Sequence, residues 1–113
     1  MDDGLIVVDT TPLIALSAAG YIGALAHLYE SIVVPLEVIE EIRAGGPLAP
    51  GTQELSGIPN LALQTGYAEI PAYLANALDR GEAAVIATAL SKGIPLVCID
   101  ETVGRRSNEA RQR

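Results

Sequence analysis

The chain of 113 residues is poor in aromatic residues and in cysteine, with no Trp, no Phe, four Tyr and one Cys. Its core must therefore be built from Leu, Ile, Val and Ala, a composition that suits a parallel sheet buried between helices. The single cysteine, Cys98, excludes a disulfide within the chain and favours a reducing compartment. No apolar run approaches the roughly 20 residues that span a bilayer, and the start Met-Asp-Asp-Gly lacks the basic residues of a signal peptide. We therefore expect a cytoplasmic protein without a membrane partner.

Basic residues are also scarce, with 7 Lys and Arg against 14 Asp and Glu, which gives a formal net charge of −7. This balance taken alone favours an acidic surface over a nucleic-acid binder, which usually carries a basic patch. However, four of the seven basic residues lie in the last nine positions, and these are Arg105, Arg106, Arg111 and Arg113. Acids that share a cation would also not count as free surface charge. Net charge therefore does not exclude a nucleic-acid partner.

Short β-branched apolar runs alternate with segments of helical character, which predicts crossover units and a parallel sheet. Thr11 and Pro12 resemble an N-cap and a first helical residue. The predicted strands cover residues 5–8, 31–34, 95–99 and, more weakly, 61–64. The predicted helices cover residues 12–19, 21–29, 36–44, 72–78, 82–92 and 102–113. Residues 45–60 are rich in Gly and Pro and are interpreted as a loop, because 113 residues suffice for one domain over residues 1–113.

Two aspartates each follow a predicted strand. Asp9 comes directly after the first strand, and Asp100 directly after the strand over residues 95–99. Ligands of open parallel sheets bind beyond the carboxyl ends of the strands. If the two strands are neighbours, both acids face one crevice. The simpler interpretation, that each Asp begins a turn or caps a helix, stays open.

Glu82 falls in the middle of the apolar stripe of its predicted helix, close in angle to Val85, Ile86 and Ala89. A buried carboxylate is costly unless a cation or an Arg compensates its charge. The alternative is a capping box, in which Asp79 is the N-cap and Glu82 reaches back to the Asp79 amide. The two roles are compatible, because a helix N-terminus tolerates a carboxylate.

Three further carboxylates share the helix predicted over residues 36–44. Glu40 and Glu41 each lie at an edge of its apolar stripe, and periodicity does not choose between them. For both, and for Glu37, the default interpretation is a solvated acidic face.

Three segments together resemble the PIN-domain family, over about residues 5–106. They are IVVDTTPLIAL, VVPLEVIEEI and LDRGEAAVIATALSKGIPLVCID. The variant with Gly-Glu at the third acid is the most similar, and the resemblance extends to the VapC-type toxin ribonucleases of VapBC toxin–antitoxin modules. It implies a three-layer α/β/α fold around a central parallel sheet. Family members usually continue with one more strand and helix, so we expect both to be missing here.

The resemblance also implies a metal-dependent endoribonuclease that hydrolyses RNA phosphodiester bonds as the toxin of such a module. By position, the catalytic and metal-binding acids are Asp9, Glu41, Glu82 and Asp100. Glu41 is chosen over Glu40 because the family's Glu usually precedes an aliphatic residue, here Ile42. Supporting roles fall to Thr10, Asp79 and Glu101, and RNA binding to Arg105 and Arg106.

Oxygen ligands suit Mg²⁺ or Mn²⁺, either of which can lower the pKa of a water and stabilise charge on a phosphodiester. The expected partners are RNA, a cognate antitoxin protein and a second copy of the chain. The homodimer is expected because the strand over residues 95–99 would expose an unpaired edge. The alternative function is a shortened PIN-like interaction module with little or no nuclease activity. The missing C-terminal segment and the acidic charge favour that alternative.

Overall fold

The computed structural model of the chain describes residues 4–99. Within this range the chain forms four strands and six helices. In chain order they are β1 (Leu5–Val8), α1 (Thr10–Ala19), α2 (Ile22–Leu28), β2 (Ser31–Val34), α3 (Leu36–Ala44), α4 (Glu54–Gly57), β3 (Leu61–Leu63), α5 (Ala72–Ala77), α6 (Arg80–Lys92) and β4 (Val97–Cys98). The helix predicted over residues 102–113 lies outside the described residues.

The four strands form one parallel sheet in the order β3-β2-β1-β4. Val7 of β1 pairs with Val33 on one side and with Val97 on the other. The prediction of an α/β fold around a central parallel sheet is therefore confirmed. Since β1 and β4 are parallel neighbours, their carboxyl ends lie side by side, as the argument from the two strand-terminal aspartates requires.

The core lies around the central strands and is almost entirely aliphatic. On β1 and β2, the last three residues of each strand are 5 % exposed or less, and burying a Val or Ile side chain contributes roughly 1.5–3 kcal/mol. Helix α6 packs on β1 and β4 and on helices α3 and α5. The helices contribute the buried side chains Leu13, Ile22, Val38, Ile39, Ile42 and Val85. The sheet and these helices together fix the position of the residues that follow each strand.

Helix α1 begins two residues earlier than its sequence predicts. The N-cap is Asp9, not Thr11, because the Asp9 carboxylate accepts a hydrogen bond from the Thr10 amide at 2.7 Å. Pro12 is then the third helical residue, a position whose missing N–H costs nothing because first-turn amides have no helical acceptor. The residue that ends β1 therefore also begins α1, which fixes the Asp9 side chain at the edge of the sheet.

Other segments also differ from their predictions. The helix predicted over residues 82–92 begins two residues earlier, at Arg80, and the elements predicted over residues 21–29, 61–64 and 72–78 are each shorter by one or two residues. The strand over residues 95–99 is reduced to β4, whose paired residues are Val97 and Cys98 only. Pro95 has no N–H with which to extend this edge. The loop over residues 45–60 contains the helical turn α4, where the Glu54 carboxylate accepts from the Gly51 amide at 2.9 Å and Leu55 is buried.

Among residues 4–99, no single helix is both long and apolar enough to cross a membrane. Helices α1 and α2 are long and apolar enough for a membrane span only when they are taken together, and a bend of 113° separates them.

Candidate functional site

Asp9 lies at the junction of β1, β4 and α1. Its amide donates to the Cys98 carbonyl at 2.9 Å, which continues the ladder between the two strands beyond Val8. The Asp9 residue is 5 % exposed. Burial first, and then the negative charge of Asp9, raise the pKa of the Cys98 thiol. Asp100, two residues beyond Cys98, lies outside the described residues.

Glu82 occupies the first turn of α6 and is only 1 % exposed. Asp79 caps the helix as predicted, because its carboxylate accepts from the Glu82 amide at 2.8 Å. The second half of the predicted capping box is not formed in hydrogen-bond geometry. Neither carboxylate oxygen of Glu82 has a hydrogen-bond partner within residues 4–99.

The environment of Glu82 disfavours its ionised form. Burial, then the negative charge and the side chain of Asp79, and then the negative charge of Asp9 together raise the pKa of the Glu82 carboxyl to about 7. The Asp79 amide, which does not reach the Glu82 oxygens in hydrogen-bond geometry, opposes this rise with a smaller effect than any of these causes. A buried carboxyl group with two acidic neighbours and no donor among the described residues is the kind of group that a cation would stabilise.

Gly81 is the point at which two further carboxylates meet. A Cβ built on Gly81 would lie 2.7 Å from Oε1 of Glu41 and 2.9 Å from Oδ1 of Asp9. Both distances are shorter than a real Cβ contact, so the two oxygens approach the glycine closely because it has no side chain. The structure therefore brings Asp9, Glu41 and the first turn of α6 together at the carboxyl end of β1. The sequence identified Gly81 only through the Gly-Glu pair at the third acid, and no pattern in it indicates that two carboxylates approach this glycine.

The three glutamates of α3 have three different environments, and the expectation of one solvated acidic face is wrong. Glu37 is buried, at 3 % exposed, because its Oε2 accepts from the Ala68 amide at 2.9 Å and so holds the loop over residues 64–70. Its Oε1 has no hydrogen-bond partner among the described residues. Glu41 is exposed and approaches Gly81, as described above.

Glu40 points to different partners. Its Oε1 accepts from the Arg80 guanidinium at 2.8 Å, and its Oε2 accepts from the Tyr67 hydroxyl. The hydrogen bond from Tyr67, and then that from Arg80, hold the pKa of Glu40 below its ordinary value. Glu40 is therefore bound to α6 and to the loop over residues 64–70, while Glu41 is the glutamate nearest Asp9 and Gly81.

The supporting residues fall into two groups. The Thr10 hydroxyl is buried and has no hydrogen-bond partner within residues 4–99. Glu101, Arg105 and Arg106 lie outside the described residues, so their predicted roles stay predictions. Tyr67 and Arg80, by contrast, are at this site without any periodic signal in the sequence that indicates them.

The described side chains alone do not close around an ion. No group of three or more His, Cys, Asp or Glu side chains within residues 4–99 is arranged to hold a metal. Asp9, Glu41 and Glu82 nevertheless present only carboxylate oxygen atoms as ligands, and such oxygen ligands suit a hard divalent cation such as Mg²⁺ or Mn²⁺. The unpaired oxygens of buried Glu82 are the observation that supports this fit most directly.

Comparison with known proteins agrees with this architecture. A family model described as PIN domain matches residues 5–112, almost the whole chain. Searches of curated proteins and of solved structures find no significant match.

Proposed function

Since this chain belongs to the PIN-domain family, whose members are generally nucleases, we propose that it is a metal-dependent endoribonuclease and the toxin of a toxin–antitoxin module. The observation that carries the proposal is the meeting of Asp9 and Glu41 at Gly81, beside the buried and unpaired carboxyl group of Glu82. No side-chain nucleophile is needed for such a reaction, because water is the attacking group.

Asp9, Glu41, Glu82 and Asp100 are the residues that would hold Mg²⁺ or Mn²⁺. The ion would lower the pKa of a water and stabilise negative charge on the phosphodiester. Asp9 is oriented for this role by its hydrogen bond from the Thr10 amide, and Glu82 by the capped first turn of α6. The Thr10 hydroxyl, buried beside Asp9 and unpaired among the described residues, is a donor for that carboxylate or for a water.

RNA, the antitoxin and a second copy of the chain are the proposed partners. Arg105 and Arg106 are proposed to contact RNA phosphates, since Arg pairs well with phosphate oxygens. The homodimer is supported by β4, which within residues 4–99 pairs only with β1, and by Leu96, which is 43 % exposed beside it. Light scattering at micromolar protein concentration that gives a monomer mass would contradict the dimer. A cytoplasmic location is proposed from the single cysteine.

One observation favours the second candidate function, an interaction module without efficient catalysis. The described carboxylates do not form a group of three around one point. An RNA-cleavage assay separates the two functions. We expect the purified chain to cut single-stranded RNA in Mn²⁺ or Mg²⁺, to stop when EDTA is added, and to resume when Mn²⁺ is restored in excess. No cleavage of a mixed RNA pool in either ion, by protein shown to be folded, would favour the interaction module.

Gly81→Ala tests whether the close approach of two carboxylates is needed for activity. The new methyl group would displace the Glu41 carboxylate, which is the flexible end of an exposed side chain, and Oδ1 of Asp9, which also caps α1. Alanine favours the helix by up to about 1 kcal/mol over glycine, which offsets part of the cost of shifting that cap. We expect a melting temperature near the parent's, together with a loss of cleavage of about 100-fold, the size of effect that a displacement of about 1 Å can have.

Gly23→Ala is the matched control, because Gly23 is also helical and a Cβ there meets nothing within 4 Å. It should keep the parent's cleavage rate. If Gly81→Ala also cleaves at the parent's rate, the carboxylates that meet at Gly81 do not form the active site.

A further inference from the structure

Tyr67 and Arg80 form an exposed aromatic–cation pair that none of the proposed catalytic roles uses. The guanidinium carbon of Arg80 lies 5.4 Å from the centroid of the Tyr67 ring, within the range of a cation–π contact. Tyr67 is 59 % exposed and the Arg80 side chain 54 %. A large ring that is exposed in this way and covered by a cation on one side is available for a further contact.

The pair is held in place by the carboxylates of α3. Glu40 accepts from both the Tyr67 hydroxyl and the Arg80 guanidinium, and Glu37 accepts from the Ala68 amide next to the ring. The ring is therefore fixed through its hydroxyl and through its main chain before any ligand arrives. Such preorganisation lowers the entropy lost when a ligand binds.

The position of the pair relates it to the acidic site. Glu40 precedes Glu41, and Arg80 precedes Gly81, so the Glu40–Arg80 ion pair bridges α3 and α6 next to the contact of Glu41 with Gly81. Tyr67 also lines a cleft of about 300 Å³, together with Glu69 and with Thr88, Ser91 and Lys92 of α6. The hydroxyl groups and Lys92 offer hydrogen bonds and a positive charge to a polar ligand, and Glu69 adds one carboxylate to the lining.

We propose that the Tyr67 ring, backed by Arg80, is the stacking platform for one base of a single-stranded RNA next to the bond that is cut. Every base has a π face, and aromatic side chains bind unpaired bases by stacking on it. Arg80 strengthens the platform from its other side, and Lys92 at the cleft is a counter-charge for a neighbouring phosphate. The Tyr67 hydroxyl is already bound to Glu40, so the platform recognises the face of a base and not its hydrogen-bonding edge. This inference rests on the proposed ribonuclease function and names a subsite of it.

The test uses Tyr67→Leu and Tyr67→Phe in the full chain. Both variants lose the hydroxyl contact with Glu40, but only Phe keeps the ring. Binding of a labelled single-stranded RNA is measured by fluorescence anisotropy in EDTA, where cleavage is not expected. Tyr67→Leu should weaken binding by about tenfold, within the range known for base–aromatic stacking, and Tyr67→Phe should weaken it less, because the ring remains although the hydroxyl that fixes it is lost. Tyr21→Leu is the control, because Tyr21 is similarly exposed, at 64 %, but lies just beyond the C-terminal end of α1, at the start of α2.

A series of the same RNA with one base removed at successive positions provides the second measurement. The parent should lose affinity when the base that stacks on Tyr67 is removed, whereas Tyr67→Leu should be indifferent to that removal. Such coupling is not expected of a residue that only supports the fold. Equal weakening by Leu and Phe, or unchanged binding by Leu, would overturn the proposal.

The outcome separates this proposal from the ribonuclease function itself. If the parent cuts RNA in Mn²⁺ but Tyr67→Leu binds RNA as well as the parent does, the ribonuclease function stands and the stacking platform is rejected. If the parent binds RNA and shows the coupling to Tyr67 but never cuts RNA, the stacking platform stands and the ribonuclease function is rejected.

Discussion

Asp9→Asn is expected to abolish ion-dependent RNA cleavage while the protein stays folded. The substitution removes the negative charge that would hold a cation, and we expect cleavage to fall by more than about 100-fold, since even residues behind a metal ligand contribute roughly 10- to 100-fold. The fold should persist because Asn is as good an N-cap as Asp and can still accept from the Thr10 amide. Cleavage rates in Mn²⁺ and melting curves in EDTA measure the two parts of this prediction.

Glu30→Gln is the matched control for Asp9→Asn. It removes one negative charge from an exposed residue just before β2, at the opposite end of the sheet, and should leave cleavage unchanged. Cleavage by Asp9→Asn at the parent's rate would show that Asp9 is not a ligand. Loss of cleavage accompanied by unfolding would show instead that the charge of Asp9 is needed for the helix cap.

The central part of the fold could be predicted from the sequence because its signals are local. β2 and α3 have the predicted bounds, since a β-branched run is followed by Pro35 and α3 ends at a Gly-Gly pair. The parallel sheet follows from alternation of strands and helices. The prediction that Asp9 and Asp100 face one crevice required β1 and β4 to be neighbours in the sheet, and they are neighbours.

The tasks of the three glutamates on α3 could not be predicted, because their partners come from elsewhere in the chain. Glu37 is buried by its contact with the loop over residues 64–70, which has no periodic pattern. Glu40 pairs with Arg80, 40 residues further along the chain. Helical periodicity gives the angle of a side chain but not the group that it meets, so it left Glu40 and Glu41 as alternatives.

The start of α1 shows a competition between two local signals. Thr11 followed by Pro12 is a good helix start, yet Asp9 forms the cap, because its backbone is already extended at the end of β1 and its side chain reaches the next amide. The cap that the sequence favours and the cap that forms differ by two residues. That difference matters for the proposed function, because the capping hydrogen bond fixes the orientation of Asp9, the first of the predicted metal ligands.

Glu82→Gln should stabilise the ion-free protein at high pH. The pKa of Glu82 is raised from 4.5 to about 7 in the folded chain, so between these pH values the folded state binds more protons than the unfolded state. The stability that this group contributes is therefore fully present below about pH 4.5 and is lost as the pH rises through about 7. Above that pH, the ionised carboxylate costs on the order of 3 kcal/mol, a cost that Gln does not carry.

Urea unfolding in EDTA at pH 4 and pH 8 measures this effect. Glu82→Gln and the parent should have similar stability at pH 4, whereas at pH 8 the variant should be more stable by up to about 3 kcal/mol. Adding Mn²⁺ at pH 8 should then favour the parent, because an ion that binds only the folded state stabilises it by about 2.7 kcal/mol at a hundredfold excess over Kd. The variant lacks that carboxylate and should gain less stability from the ion, while Glu30→Gln should gain as much as the parent.

If the stability of the parent and that of Glu82→Gln depend on pH in the same way, Glu82 titrates normally in the folded chain. An equal response to Mn²⁺ would mean that its two unpaired oxygens do not hold the ion.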